Sequence, residues 1–190
     1  MCAYISPMNT KTRFVILMHP KEFRHTKNGT GHFTNLSLKN CELYVGIDFT
    51  KHEQINKLLN NPNNNCYVIY PSEKSINLNE NSIKKENKNT ILFLIDATWA
   101  CSRTMLAKSK NLDILEKVSF THTKTSVFKF KKQPKEYCLS TIESTLCILE
   151  ILNENGDEKL EAKELNSFLL PFEKMVEYQV PFMPEARNYS

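Results

Sequence analysis

A chain of 190 residues is long enough to bury one sizeable core, and a composition of 41% hydrophobic and 24% charged residues excludes a wholly disordered or fibrous architecture. No apolar run approaches the roughly 18 residues of a membrane span, and the N-terminus lacks an apolar signal core, so the expectation is a soluble, cytoplasmic protein without a membrane partner. The formal net charge of +4 permits binding to nucleic acid without demanding it.

Short apolar runs alternate with helical patterns along the chain, which predicts an α/β fold: a small, mostly parallel sheet flanked by helices. Strands are expected at 13–18, 42–47, 65–70, 91–95 and 116–120, each nearly continuous in apolar residues as suits strands buried on both faces. Thr50 and Glu53 have capping-box spacing ahead of a helix carrying Ile55, Leu58 and Leu59. The Asn-rich stretches 61–65 and 79–89 read as poorly structured, and 71–90 as a long loop. A further helix is expected to begin near Thr98. Ser140 and Glu143 form a second S-x-x-E box, opening a helix whose Ile142, Leu146 and Leu149 repeat at i, i+4 and i+7. From Asp157 onward Leu165, Phe168, Leu169 and Phe172 share a stripe, and Pro171, which has no amide to donate, should end or kink the helix and leave two helical pieces. The whole reads as a single domain, 1–190, with 157–190 as a C-terminal helical tail.

Six cysteines, Cys2, Cys41, Cys66, Cys101, Cys138 and Cys147, contain no C-x-x-C pair, which argues against a disulfide framework or a self-contained zinc site. Most read as small core hydrophobes.

Chemistry concentrates where strands end. The run 91–95 delivers Asp96, Ala97, Thr98 and Trp99 to the carboxyl edge of the sheet, where open α/β folds bind their ligands. A carboxylate there can accept a proton or hold the amino group of an amino-acid-like ligand; equally, Asp96 or Thr98 can simply cap the next helix, and Trp99 can simply pack. The stretch 121–132 interleaves Lys124, Lys129, Lys131 and Lys132 with Phe128 and Phe130, a pattern suited to phosphates and unstacked bases. Lys21, Arg24, His25 and Lys27 make a second basic cluster; either group can also be an ordinary solvated face.

The tetrad Asp96-Ala97-Thr98-Trp99 after an apolar strand resembles the D-x-T-W signature of the DTW-domain family, the tRNA-uridine aminocarboxypropyltransferases of bacteria and eukaryotes. His19-Pro20-Lys21-Glu22 followed by Asn28-Gly29-Thr30-Gly31 resembles that family's early H-P-x-E and Thr-Gly elements. Tyr70-Pro71-Ser72-Glu73 resembles its aromatic–proline element, and Leu139-Ser140-Thr141-Ile142-Glu143 its L-S-T-x-E helix start.

The resemblance implies a SPOUT-related fold with a C-terminal trefoil knot, an exception to unknotted topology. It implies S-adenosylmethionine as donor, in a cleft formed by Tyr70, Pro71 and Ser72, by Ile95, Asp96, Thr98 and Trp99, and by Leu139, Ser140, Thr141 and Glu143. It implies tRNA as partner, held by His19, Lys21, Glu22, Arg24, Lys27, Lys129, Lys131 and Lys132. The implied reaction moves the 3-amino-3-carboxypropyl group to N3 of a variable-loop uridine with Asp96 as base, releasing methylthioadenosine. A methyltransferase on the same fold, or a non-catalytic RNA-binding relative, would share much of this pattern, and Ser140 and Glu143 would still cap each other without any ligand.

Two features depart from the family. Lys131 and Lys132 stand before Gln133-Pro134 where members often carry arginine, which loses a bidentate fork. Cys2-Ala3-Tyr4-Ile5 resembles only the last piece of the family's cysteine-rich zinc-binding segment, so 1–12 read as its remnant and no metal is expected.

Overall fold

Apolar continuity decides where the sheet lies. In β1 (Arg13–Met18) every residue from Phe14 onward is buried, and β5 (Asn89–Asp96) is buried from Ile91 to Leu94. These two central strands pair in parallel with Met18 opposite Asp96. They are joined by β2 (Cys41–Val45), β3 (Asn64–Ile69), β4 (Ile76–Asn77) and β6 (Lys117–Ser119) in the order β2-β1-β5-β3-β6-β4, all pairs parallel. The computed structural model describes residues 2–25, 29–83, 87–123, 126 and 139–179.

Because side chains alternate across a strand, neighbours in β1, β3 and β5 feed two separate cores. Phe14, Tyr67, Leu92 and Leu94 face one side, and Val15, Leu17, Val68, Ile91 and Phe93 the other. The first side is covered by α2 (Thr30–Ser37), α6 (Thr141–Glu154) and α8 (Leu170–Gln179), through Phe33, Ile148, Leu149 and Phe172 among others. The second is covered by α3 (Glu53–Leu59), α4 (Trp99–Lys108) and α5 (Lys110–Asp113), through Ile55, Met105 and Leu112. Ile142, Ile148 and Leu149 of α6 are 0% exposed, and burying side chains of this size contributes roughly 1.5–3 kcal/mol each. Two short helices complete the described chain, α1 (Pro20–His25) directly after β1 and α7 (Ala162–Ser167) directly before α8. Among the described residues, no helix is long and apolar enough to cross a membrane.

The predicted strands match β1, β2, β3, β5 and β6 to within two residues at each end. The helix at Thr98 and the Ser140/Glu143 box also stand where expected, with Thr98 and Ser140 as N-caps.

Several expectations need correction. The helix after β2 is capped by His52, whose Nδ1 accepts from the Ile55 amide at 3.4 Å. Thr50 is unavailable for that role because its hydroxyl donates to the Lys108 carbonyl and accepts from the Lys110 amide, both at 3.1 Å, tying α4 to α5. The segment 71–90, expected to be loop, contributes β4 and plants Leu78 and Ile83 in the core. The Asn-rich run 61–65 is not loose: Asn64 and Asn65 lie in β3, and the Asn64 amide group donates to the Leu58 carbonyl at 3.0 Å. Cysteine burial is less general than expected, because Cys147 is buried while Cys41, Cys66 and Cys101 are half-buried. Cys138 lies outside the described residues, as does most of the 121–132 stretch.

In the tail, the chain does form two helical pieces, but Pro171 sits in the first turn of α8 instead of terminating α7. A first-turn proline lacks only an amide that has no helical partner there.

Candidate active site

Parallel pairing brings the carboxyl ends of the strands to one edge. With Met18 level with Asp96, and Ile69 paired to both Leu94 and Val118, the segments after β1, β3, β5 and β6 open on the same side of the molecule. His19, Tyr70 and Asp96 are therefore neighbours by topology. Thr141 joins them across the fold.

Asp96 is the last residue of β5 and is half-buried. Its carbonyl accepts from the His19 amide at 3.0 Å, prolonging the β1–β5 ladder by one rung. Its side chain turns to two helix starts. Oδ1 accepts from the Thr141 hydroxyl, at the first residue of α6, at 2.7 Å. Against Oδ2 lies Gly31, in the first turn of α2; a Cβ there would overlap that oxygen and come within 2.8 Å of the Met18 methyl. Helix N-termini favour a negative charge, so both α2 and α6 present the end that suits a carboxylate.

The α6 start is itself held firmly. Glu143, 5% exposed, accepts from the Ser140 amide at 2.8 Å and from the Ser140 hydroxyl at 2.5 Å through Oε2. The same oxygen accepts from the Ser126 hydroxyl at 2.9 Å. Glu143 thus serves as the cap of α6 and as the tie to Ser126 within the basic stretch, and Leu139 and Ser140 are half-buried beside it.

Across the edge, Trp99 begins α4 and is 48% exposed, with the Tyr70 ring edge-on to it at 6.1 Å between centroids and 66° between planes. The Thr98 hydroxyl is occupied by the Cys101 amide at 3.4 Å, so its placement is that of a helix cap. Pro71 and Ser72 are exposed, and the turn they open is fixed to the end of β6 through Ser75, whose hydroxyl donates to the Ser72 carbonyl at 2.7 Å and is hydrogen-bonded to the Ser119 hydroxyl at 2.8 Å. Ile95 is half-buried and packs against the α3–α4–α5 core, away from the two helix starts.

Of the residues expected to meet RNA, Lys21 and Arg24 are exposed on α1 and Glu22 is half-buried. His19 is placed differently: it is 7% exposed, its Nδ1 accepts from the Lys21 amide at 3.1 Å, and its carbonyl accepts from the Glu22 amide at 2.9 Å and the Phe23 amide at 3.2 Å. Those bonds make it the cap of α1. Lys27, Lys129, Lys131 and Lys132 lie outside the described residues.

Sequence reasoning missed two contacts at this edge. Gly31 appeared only as part of a motif, although its lack of a side chain is what lets α2 reach the carboxylate. The pair of Phe23, 47% exposed, with His32 at 5.6 Å between centroids was not singled out at all. Among the described residues, no three His, Cys, Asp or Glu side chains gather as metal ligands would.

The fold and this edge define a parallel α/β protein with a carboxylate held between two helix starts on the edge that also carries an exposed tryptophan and a half-buried tyrosine. The family model of the DTW domain matches residues 1–180, and the chain belongs to that family. It is 27% identical over 179 residues to tRNA-uridine aminocarboxypropyltransferase 2 of Drosophila melanogaster, covering 92% of this chain and 67% of the relative. It is 23% identical to the Mus musculus protein of the same name, covering 82% of this chain and 53% of the relative, and 22% identical to that of Macaca fascicularis, covering 79% and 51%. The chain thus spans between about half and two thirds of the length of these curated relatives. No solved structure matches it.

Proposed function

We propose that this chain is a tRNA-uridine aminocarboxypropyltransferase, moving the 3-amino-3-carboxypropyl group of S-adenosylmethionine to N3 of a tRNA uridine. Family membership and the activity for which its relatives are named supply the reaction class. The observation that carries the assignment to this chain's own residues is Asp96, oriented by Thr141 at the carboxyl edge of the sheet.

The residues suit such a donor. A carboxylate complements an ammonium group or a sulfonium cation, and the half-exposed Trp99 with Tyr70 beside it offers an aromatic surface to a planar base. In the transfer, a bond forms between uracil N3 and the methylene next to sulfur in the amino-acid arm, the carbon–sulfur bond breaks, and its electron pair leaves with methylthioadenosine. The N3 imide is a weak acid and a poor nucleophile until it loses its proton. Asp96 takes that proton as general base. Holding N3 in line with the breaking bond supplies much of the remaining acceleration, up to about 7–11 kcal/mol in favourable cases.

RNA is held by the exposed Lys21 and Arg24 and by the basic stretch that Ser126 anchors to Glu143. We further propose the SPOUT-type trefoil knot. Its support is that β6 lies beyond β3 in the sheet while Thr141, at the start of the next helix, sits against Asp96 at the end of β5, so that β3 and the loop leaving it stand between the two. An experimental chain trace passing outside that loop removes the knot.

The function is tested by incubating unmodified tRNA with S-adenosylmethionine labelled in its amino-acid arm and separating the products. Label on the RNA together with methylthioadenosine is the expected result. Adenosylhomocysteine with methylated RNA would make the protein a methyltransferase, and binding without turnover would make it an RNA-binding relative.

A further inference from the structure

We infer that Thr141 is a positioning residue for the reaction, acting through its hydroxyl on the carboxylate of Asp96 and not on the donor. The inference rests on the proposed transfer and assigns a part to a side chain that would otherwise be counted only among the walls of the cleft.

This bond belongs neither to the cap of α6 nor to the sheet ladder. The N-cap of α6 is Ser140, and the reciprocal partner is Glu143, so the Thr141 hydroxyl has no capping duty. Asp96 supports the sheet with its backbone carbonyl, which receives the His19 amide, and its side chain has no part in the ladder. The Oγ1–Oδ1 contact at 2.7 Å nevertheless links residues 45 positions apart.

What the bond does is mechanical. The terminal torsion of an aspartate is broad and roughly two-fold, so an untethered carboxylate samples many planes. Thr141 fixes one oxygen, and Gly31 leaves the other just enough room, since any side chain at 31 would strike Oδ2. Thr141 is itself anchored on both sides. Its preceding residue is clamped by a glutamate that is 5% exposed, and its carbonyl accepts from the Thr145 hydroxyl at 2.7 Å. A chain of bonds therefore runs from Ser126 through Glu143 and Ser140 into the start of α6, and ends on the plane of the Asp96 carboxylate.

A general base acts only along its lone-pair direction, and misplacement by about 1 Å can cost roughly 100-fold in rate. Removing the tether should lower turnover while leaving the binding of both substrates nearly intact.

The experiment compares wild type, T141V, T141S and D96N on an unmodified tRNA transcript with S-adenosylmethionine, measuring kcat, KM for each substrate and the thermal midpoint. T141V keeps the shape and loses the donor; T141S keeps the donor. The expected result is a fall in kcat of about 10- to 100-fold for T141V, KM values close to wild type, an unchanged melting midpoint, and recovery of most of the rate in T141S. Wild-type turnover in T141V with D96N inactive overturns the inference and leaves the transfer reaction standing. A raised KM for S-adenosylmethionine with kcat unchanged also overturns it, making Thr141 a donor contact. A lowered melting midpoint that T141S does not restore makes the bond structural. Absence of transfer by the wild-type protein removes the reaction and the positioning role together.

Discussion

Two carboxylates mark opposite ends of the same parallel sheet, and the protein treats them differently. Before β1, Glu158 is 2% exposed and accepts from the Lys11 amide at 2.9 Å through one oxygen and from the Thr12 amide at 2.6 Å through the other. Beside it, Asp157 accepts from the Ser82 hydroxyl at 2.9 and 3.0 Å. This end is closed over its charges. At the far end Asp96 is half-buried at the carboxyl edge, three residues before an exposed tryptophan, with one oxygen steered by Thr141. A carboxylate saturated with backbone amides and sealed from water serves stability, whereas one that is oriented but accessible is available for chemistry. Chemical type alone would not separate the two.

The contrast is broken most directly by substitution at each end. Asp96→Asn is expected to cost roughly 10²- to 10⁴-fold in transfer rate, the usual contribution of a general base, with the melting midpoint nearly unchanged. Near-normal turnover removes Asp96 from the mechanism. Glu158→Ala should do the converse, since it strands the buried Thr12 amide and the part-buried Lys11 amide at a cost of about 1–3 kcal/mol. That corresponds to a melting midpoint lower by several degrees, about 2–4 °C per kcal/mol at this chain length, with the rate per folded molecule retained. An inactive but fully stable Glu158 variant would show that the two ends are not divided in this way.

Gly31→Ala sharpens the comparison at the open end alone. The added methyl overlaps Asp96 Oδ2, so the expectation is a loss of kcat of about 10-fold or more, larger than any change in KM. Unchanged kinetics would mean that α2 gives way and that its approach to Asp96 is incidental.

The smallest effect concerns thiols along the sheet. Burial pushes the Cys66 thiol up to about 11, and burial reinforced by the charge of Glu42 pushes Cys41 up to about 12. Both should stay protonated at pH 8 and alkylate more slowly than an ordinary cysteine. Unfolding restores the ordinary value of 9.0, so the unfolded chain ionises first. Stability from these groups is therefore level below pH 9 and declines as pH rises toward 11, which thermal melts across that range will show. Fast alkylation of both at pH 8 would contradict the burial.

Most of the fold was legible because the sheet is buried on both faces. A run such as 91–95 admits few readings when every residue is apolar, and α6 announced itself by a capping box in front of a 3.6-residue repeat. Local patterns failed where a side chain was claimed by a distant partner. Thr50 has the right spacing to cap a helix, yet it spends its hydroxyl on Lys108 and Lys110. β4, at two residues, is too short to have a period. The candidate site divides in the same way. Asp96 and Trp99 could be placed at a strand end from sequence, but the tether from Thr141 and the bare approach of Gly31 arise from packing between elements far apart in the chain. Only the family motifs hinted that positions 31 and 141 belonged near position 96.

The placement of Trp99 has a practical outcome. It is the chain's only tryptophan, so all indole fluorescence comes from one half-exposed ring at the carboxyl edge of the sheet, in edge contact with Tyr70. Emission from the unlabelled protein therefore reads out the proposed binding at that edge, in a cuvette, during titration with each proposed substrate in turn.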